Sequence, residues 1–347
     1  WRKIHPTGKI SDVPQAVVAG AEITNLDGSS ADPEIELVAS SEEDFSKLRG
    51  CLGDDNVTAS FCRAISSGNA LTLKIPKSWK GKQPLAIDIS ASGHISTLHI
   101  LLDIGDEVEV EIATSVRGEA GWFGLLREGV IGHNSRVSEF VYNRLDSKSK
   151  LVRSEGIMLS KNTVFETATL SLGTSVSKSD LRYALNGSGS ELGVFIAAHG
   201  TSDNHDDHHI EIEHVVGNNR SQVEMHAACD GKSRSMGTGK LMIAEASQGA
   251  DASQVFRNLL LSDKAKADAI PELEVLADDV SANHGAATAP LDPDQTFYLQ
   301  SRGLDEQTAR DLIVEGFLMD AFSDFTSRAL LDRIRTLMIV HLDCDLI

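Results

Sequence analysis

Between Leu71 and Val280 apolar and polar residues alternate in short runs, as in Leu71-Thr72-Leu73-Lys74-Ile75, Leu85-Ala86-Ile87-Asp88-Ile89 and Val108-Glu109-Val110-Glu111-Ile112. A period of two puts every second side chain on one face, so these runs predict strands. Gly, Asn, Asp and Ser separate them, and no helix-length amphipathic stretch intervenes to build βαβ units. A sandwich, a barrel or a β-solenoid remains. The lack of a recurring hairpin signature over so long a stretch favours stacked coils, each covering the edge of its neighbour, although no fixed sequence period aligns them.

The pattern changes at both ends. Residues 1–70 are mixed, with acidic loops and a short helical stretch opening at Glu42-Glu43-Asp44-Phe45. After Gly285 the period becomes helical. Asp292-Pro293-Asp294-Gln295 spells an N-cap, a first-turn proline and a Gln three residues on from the cap. Gly303 ends that helix. A second follows within 304–322, with Ala309, Leu312, Ile313, Gly316, Phe317 and Ala321 on one stripe, and a third carries Leu330, Ile334, Leu337 and His341. The expected organisation is a mixed region over 1–70, a β-solenoid over 71–288 and a helical subdomain over 289–347.

Composition narrows the function. The chain has 347 residues and a formal charge of −19. Such a surplus of carboxylates opposes a phosphate-tracking surface, so no nucleic-acid partner is expected. No apolar run is long enough to span a bilayer, so no membrane association is expected either. The four cysteines, Cys51, Cys62, Cys229 and Cys344, are scattered, without a Cys-x-x-Cys pair. Neither a disulfide framework nor a zinc knuckle is expected. The start Trp1-Arg2-Lys3-Ile4-His5 lacks an initiator Met and an apolar signal segment, which suggests a trimmed start and a cytoplasmic location.

Candidate chemistry is sparse. Gly231-Lys232-Ser233 ends like a phosphate-binding loop, but the required first glycine is His226. No catalytic triad, nucleophile elbow or zinc-protease motif is present. Five of the twelve histidines fall between residues 199 and 214. In a strand His208, Ile210, Ile212 and His214 share one face, and His209, Glu211 and Glu213 share the other, where they are candidate metal ligands. His208 and His214 stand about 20 Å apart in an extended chain, too far for one ion. Stacked polar residues inside a solenoid are the alternative reading. Cys62 and Cys229 read as buried apolar residues.

The stretch from Asp230 to Phe322 closely resembles the SufB/SufD family of iron–sulfur cluster assembly proteins. The blocks are Asp230-Gly231-Lys232-Ser233-Arg234-Ser235, Gly239-Lys240-Leu241, Arg257-Asn258-Leu259-Leu260-Leu261-Ser262, and the run Glu272 to Val280. Asn283-His284-Gly285-Ala286, Leu291-Asp292 and Phe297 to Gly303 follow in order. The resemblance implies a right-handed parallel β-helix with a C-terminal helical subdomain, and a turn at Gly231-Lys232-Ser233. It implies pairing with a SufB-like paralogue, docking of a SufC-like ABC ATPase on the helices, and iron or an iron–sulfur cluster held transiently at the complex interface rather than tightly by this chain alone.

SufB-type chains resemble one another in a His-Glu-Ala-Thr segment with a nearby Cys. Here the segment reads His284-Gly285-Ala286-Ala287, and no cysteine lies between Cys229 and Cys344. This resembles the SufD branch and implies that His284 contributes to iron or cluster binding across the SufB interface. Phe317, Met319, Phe322 and Phe325 exceed what one narrow stripe needs and are the expected ATPase contact. The chain itself is expected to be non-catalytic, to pair with a second copy when isolated, and to keep its strand content when cut after Leu291. A SufB-like scaffold and a polysaccharide-acting β-helix enzyme are the alternatives.

Overall fold

The computed structural model describes residues 16–48, 52, 56–66 and 68–342. The expectations for the chain start, Cys51 and Cys344 lie outside them. The N-terminal part contains β1 (Val17–Val18), β2 (Gly20–Asn25), β3 (Glu36–Ala39), α1 (Glu42–Leu48), α2 (Val57–Ser66) and β4 (Leu71–Ile75). Two long strands follow, β5 (Leu85–Ile104) and β6 (Glu109–Ile131). Eleven strands of nine to eleven residues complete the sheet: β7 (Arg136–Leu145), β8 (Lys150–Leu159), β9 (Val164–Leu172), β10 (Val176–Leu185), β11 (Glu191–Gly200), β12 (His205–His214), β13 (Arg220–Cys229), β14 (Arg234–Ile243), β15 (Ala250–Leu260), β16 (Lys266–Val275) and β17 (Val280–Pro290). The helices are α3 (Pro293–Ser301), α4 (Glu306–Asp320) and α5 (Arg328–Leu342).

From β7 onward each strand pairs in parallel with the second strand along, not the next one. One wall stacks the end of β6 with β8, β10, β12, β14 and β16. The other stacks the start of β6 with β7, β9, β11, β13, β15 and β17. The chain therefore winds as a parallel β-solenoid of about eight turns. Asn186-Gly187, a hairpin signature when read alone, instead passes the chain from β10 on the first wall to β11 on the second.

In-register stacking puts like positions above one another and fills the interior with columns. Ile157, Tyr183, Ile212 and Leu241 form one column, and Ile196, Met225 and Phe256 face them from the second wall. All are essentially inaccessible to solvent. The interior also holds a balanced charge quartet. Arg127 meets Glu139 at 2.6 Å and Glu155 at 3.2 Å, Arg153 meets Glu155 at 2.7 Å, and the Tyr183 hydroxyl donates to Glu155 at 3.3 Å. Burial pushes the Glu155 carboxyl up, but the two guanidiniums prevail and hold it below the usual carboxylate range.

A second apolar cluster lies outside the solenoid. Phe140, Leu170, Phe195 and Ala228 on the outer face of the second wall pack against Val314, Leu318, Phe322, Phe325, Leu330, Ile334 and Met338 of the C-terminal segment. The N-cap at Asp292 forms as expected, its carboxylate accepting from the Asp294 amide at 2.9 Å with Pro293 in the first turn. In α4 the buried residues are Ala309, Val314 and Leu318, whereas Leu312 and Gly316 turn to solvent. That corrects the expected stripe, because a flat wall contacts a helix along a slightly rotated line.

The two ends of the solenoid differ. At the N-terminal end the short strands β1, β2 and β4 lie on β5, and Ile35 and Trp79 plug the core beneath them. At the C-terminal end β16 and β17 each have, among the described residues, a partner on one side only, and the chain leaves along the outer wall.

Candidate functional site at the open end

The last coil exposes two full-length strand edges. Unpaired peptide groups on a long edge recruit another strand, and short or covered edges are the usual protection. In β16, Ala267, Ala269, Pro271 and Leu273 face the interior but are only half-buried, since no further coil covers them. Ile270 is 44% exposed, Val275 40% and Leu276 60%, beside the exposed charges of Lys266, Asp268, Glu272 and Glu274, so the rim mixes apolar and charged groups. The sequence shows only an ordinary alternating strand there. What distinguishes it is the absence of a coil after it.

His284 stands in this mouth. It pairs in register with Gln254, and Ala252, Gln254 and Phe256 are the buried, inward set of β15. In-register parallel pairing keeps Ala282, His284 and Ala286 on the same side, so the imidazole sits at the end of an interior column, exposed to solvent. It offers a single imidazole. The thiols of Cys62 and Cys229 are buried elsewhere, and burial pushes both up to about 12, which keeps them protonated.

The histidine-rich strand β12 divides as its alternation predicts. His208 and His214 point inward and are fully buried; His209, Glu211 and Glu213 are half-buried on the outside. On that outer face Glu211 lies 3.8 Å from His209 and 3.5 Å from Arg182, which itself reaches Asp180 at 3.3 Å. Among the described residues no group of three or more His, Cys, Asp or Glu converges as a metal site. Glu211 is thus flanked by His209 and Arg182 in a lateral polar ladder, and Glu213 stands beside it on the same face.

Of the aromatic positions expected to face a partner, Phe322 and Phe325 are instead buried against the solenoid, Phe325 edge-on to Phe195 at 5.8 Å. Phe317 stacks on His226 at 5.0 Å, and its carbonyl lies 2.7 Å from the His226 Nδ1. Met319 is half-buried in the same cluster. The broad outer wall uses more apolar side chains than one helical stripe supplies, which explains the surplus. The large apolar residues of these helices left in solvent are Phe297 and Tyr298 on α3, 70% and 55% exposed, Leu312 on α4 and Val340 on α5. No helix among the described residues is long and apolar enough to cross a membrane.

The class of protein that the fold defines is a parallel β-solenoid with helices folded back along one wall. Residues 87–317 match the family described as SUF system FeS cluster assembly, SufBD core domain, and the chain belongs to that family. It is 27% identical over 282 residues to an iron–sulfur cluster assembly SufBD family protein of Mycobacterium tuberculosis, covering 77% of this chain and 69% of that one. A SufBD family protein of Synechocystis is 27% identical over 216 residues, 61% of this chain and 47% of its own. The SufD protein of Bacillus subtilis is 26% identical over 273 residues, 76% of this chain and 62% of its own. The chain thus spans about half the length of some curated relatives and about two thirds of others.

Proposed function

We propose that this chain acts as a SufD-type subunit of an iron–sulfur cluster assembly scaffold, pairing with a SufB-like paralogue through the open coil of β16 and β17. The observation that carries the reading is the pair of strand edges without a partner among the described residues, with exposed Ile270, Val275 and Leu276 on the rim and His284 on β17. An iron–sulfur cluster needs several thiolates, and His284 brings a single imidazole with no ionised thiol beside it among the described residues. The partner must therefore supply the sulfur ligands, and His284 adds one nitrogen to iron or a nascent cluster handled as cargo. This supports the SufD-like assignment over the SufB-like one. The chain is non-catalytic, working in the cytoplasm, and nucleotide hydrolysis belongs to a SufC-like ATPase that docks on Phe297, Tyr298 and Leu312. In isolation the same edges pair with a second copy.

Co-expression with the cognate SufB-like and SufC-like chains tests this. A stable complex is expected, in which His284→Ala lowers the iron and sulfide recovered after anaerobic loading at least severalfold while subunit stoichiometry stays unchanged. Failure of the chains to co-purify, or full loading of the His284→Ala complex, rejects the proposal.

A further inference from the structure

Remote from the open end, a cavity of about 140 Å³ lies between the outer face of the second wall and the helix α5. Arg144, Tyr142 and Phe140 of β7 form one side, and Arg333 and Leu337 of α5 form the other. Arg144 is also in register with Arg117 of β6, so two guanidiniums stand on neighbouring strands of the same face. Like charges so placed destabilise a sheet unless something offsets them. Arg117, Arg144 and Arg333 are exposed to solvent and join none of the ion pairs found among the described residues, although the chain has 51 acidic side chains. The one carboxylate lining the cavity, Asp88, accepts the Ser115 hydroxyl at 2.5 Å.

The remaining polar group points the same way. Burial pushes the Tyr142 phenol up, against the pull of Arg144 and Arg333, so it stays protonated and can donate. Two planar guanidiniums from separate elements and a phenol donor suit an oxyanion with several acceptor oxygens. The apolar walls of Phe140 and Leu337 suit an organic group attached to it, and a cleft at the junction of helices and sheet is a common place for a small-molecule site.

We propose that this cavity binds a phosphate-type oxyanion, free or as the phosphomonoester of a small molecule, between Arg144 and Arg333. Occupancy ties α5 to the solenoid wall. The full chain, titrated at constant ionic strength with inorganic phosphate and separately with phenyl phosphate, tests this by calorimetry. Saturable binding is expected, weakened about tenfold or more in Arg144→Gln and in Arg333→Gln, each of which loses a charge-assisted contact. Asp88→Asn is expected to tighten binding severalfold, because the opposing charge is gone. Tighter binding of phenyl phosphate than phosphate supports an ester as the occupant, and equal binding supports the free anion. Absence of saturable binding to both probes, or binding indifferent to both arginine substitutions in variants that melt like the parent, overturns the proposal.

Discussion

Glu155 shows how strongly a single interior residue is constrained. Its carboxylate neutralises Arg127 and Arg153 where water cannot reach. Removing one partner of a buried ion pair leaves an uncompensated charge, so Glu155→Gln should cost about 3–5 kcal/mol in urea unfolding. Arg153→Met added to Glu155→Gln should recover part of that loss. The buried histidines add a pH dependence. Burial holds His199, His208 and His214 down to about 4, so the folded chain refuses protons that the unfolded chain accepts near pH 6.5. Their contribution is present above pH 6.5 and is lost as the pH falls towards 4. Asp206, which burial pushes up to about 7, acts in the opposite sense, since its penalty is relieved as it protonates on the way down. Three histidines outweigh one carboxylate. Stability should fall between pH 7 and pH 5, and His208→Leu should reduce that fall by about 2 kcal/mol in urea titrations at the two pH values.

At the scale of the element, the strands were legible because alternation survives burial of one face. The helical N-cap at Asp292 was legible for the same local reason. The coil period was not, because corners vary in length while strands do not. What recurs is conformation: Asn134, Asn162, Gly189, Asn218 and Gly249 each adopt positive φ at one corner of successive coils. Asn and Gly both tolerate that region, so different letters encode the same bend. The stacking of His208 inside the solenoid was anticipated from the face it shares with Ile210. The fate of Phe322 and Phe325 was not, since a helix alone does not reveal how wide a wall it will cover. Gly239 illustrates a constraint invisible in one dimension: a Cβ there would lie 2.8 Å from the Phe256 ring, which comes from the opposite wall. Gly239→Ala should cost about 1–3 kcal/mol through overpacking, read as a lowered Tm.

For the whole molecule, the helices and the solenoid share one apolar cluster, which revises the expected effect of cutting after Leu291. Truncation would expose Phe140, Leu170 and Phe195 on a broad apolar face. The shortened chain should aggregate or lose strand signal in circular dichroism, and a soluble product with the parent spectrum would show that the wall is stable uncovered. Point variants such as Phe297→Ser, on a helix with no buried residue, separate docking from folding. They should weaken ATPase capture on a resin and leave the melting temperature within a degree or two.

The difference between the two solenoid ends also sets a valence. A rod with two adhesive ends polymerises without limit, as head-to-tail interfaces that do not close make filaments. This rod has one, the other being blunted by strands of two, six and five residues. On the reading proposed above, each molecule joins one solenoid partner end to end and extends no further in that direction, while the helices remain free for side-on docking.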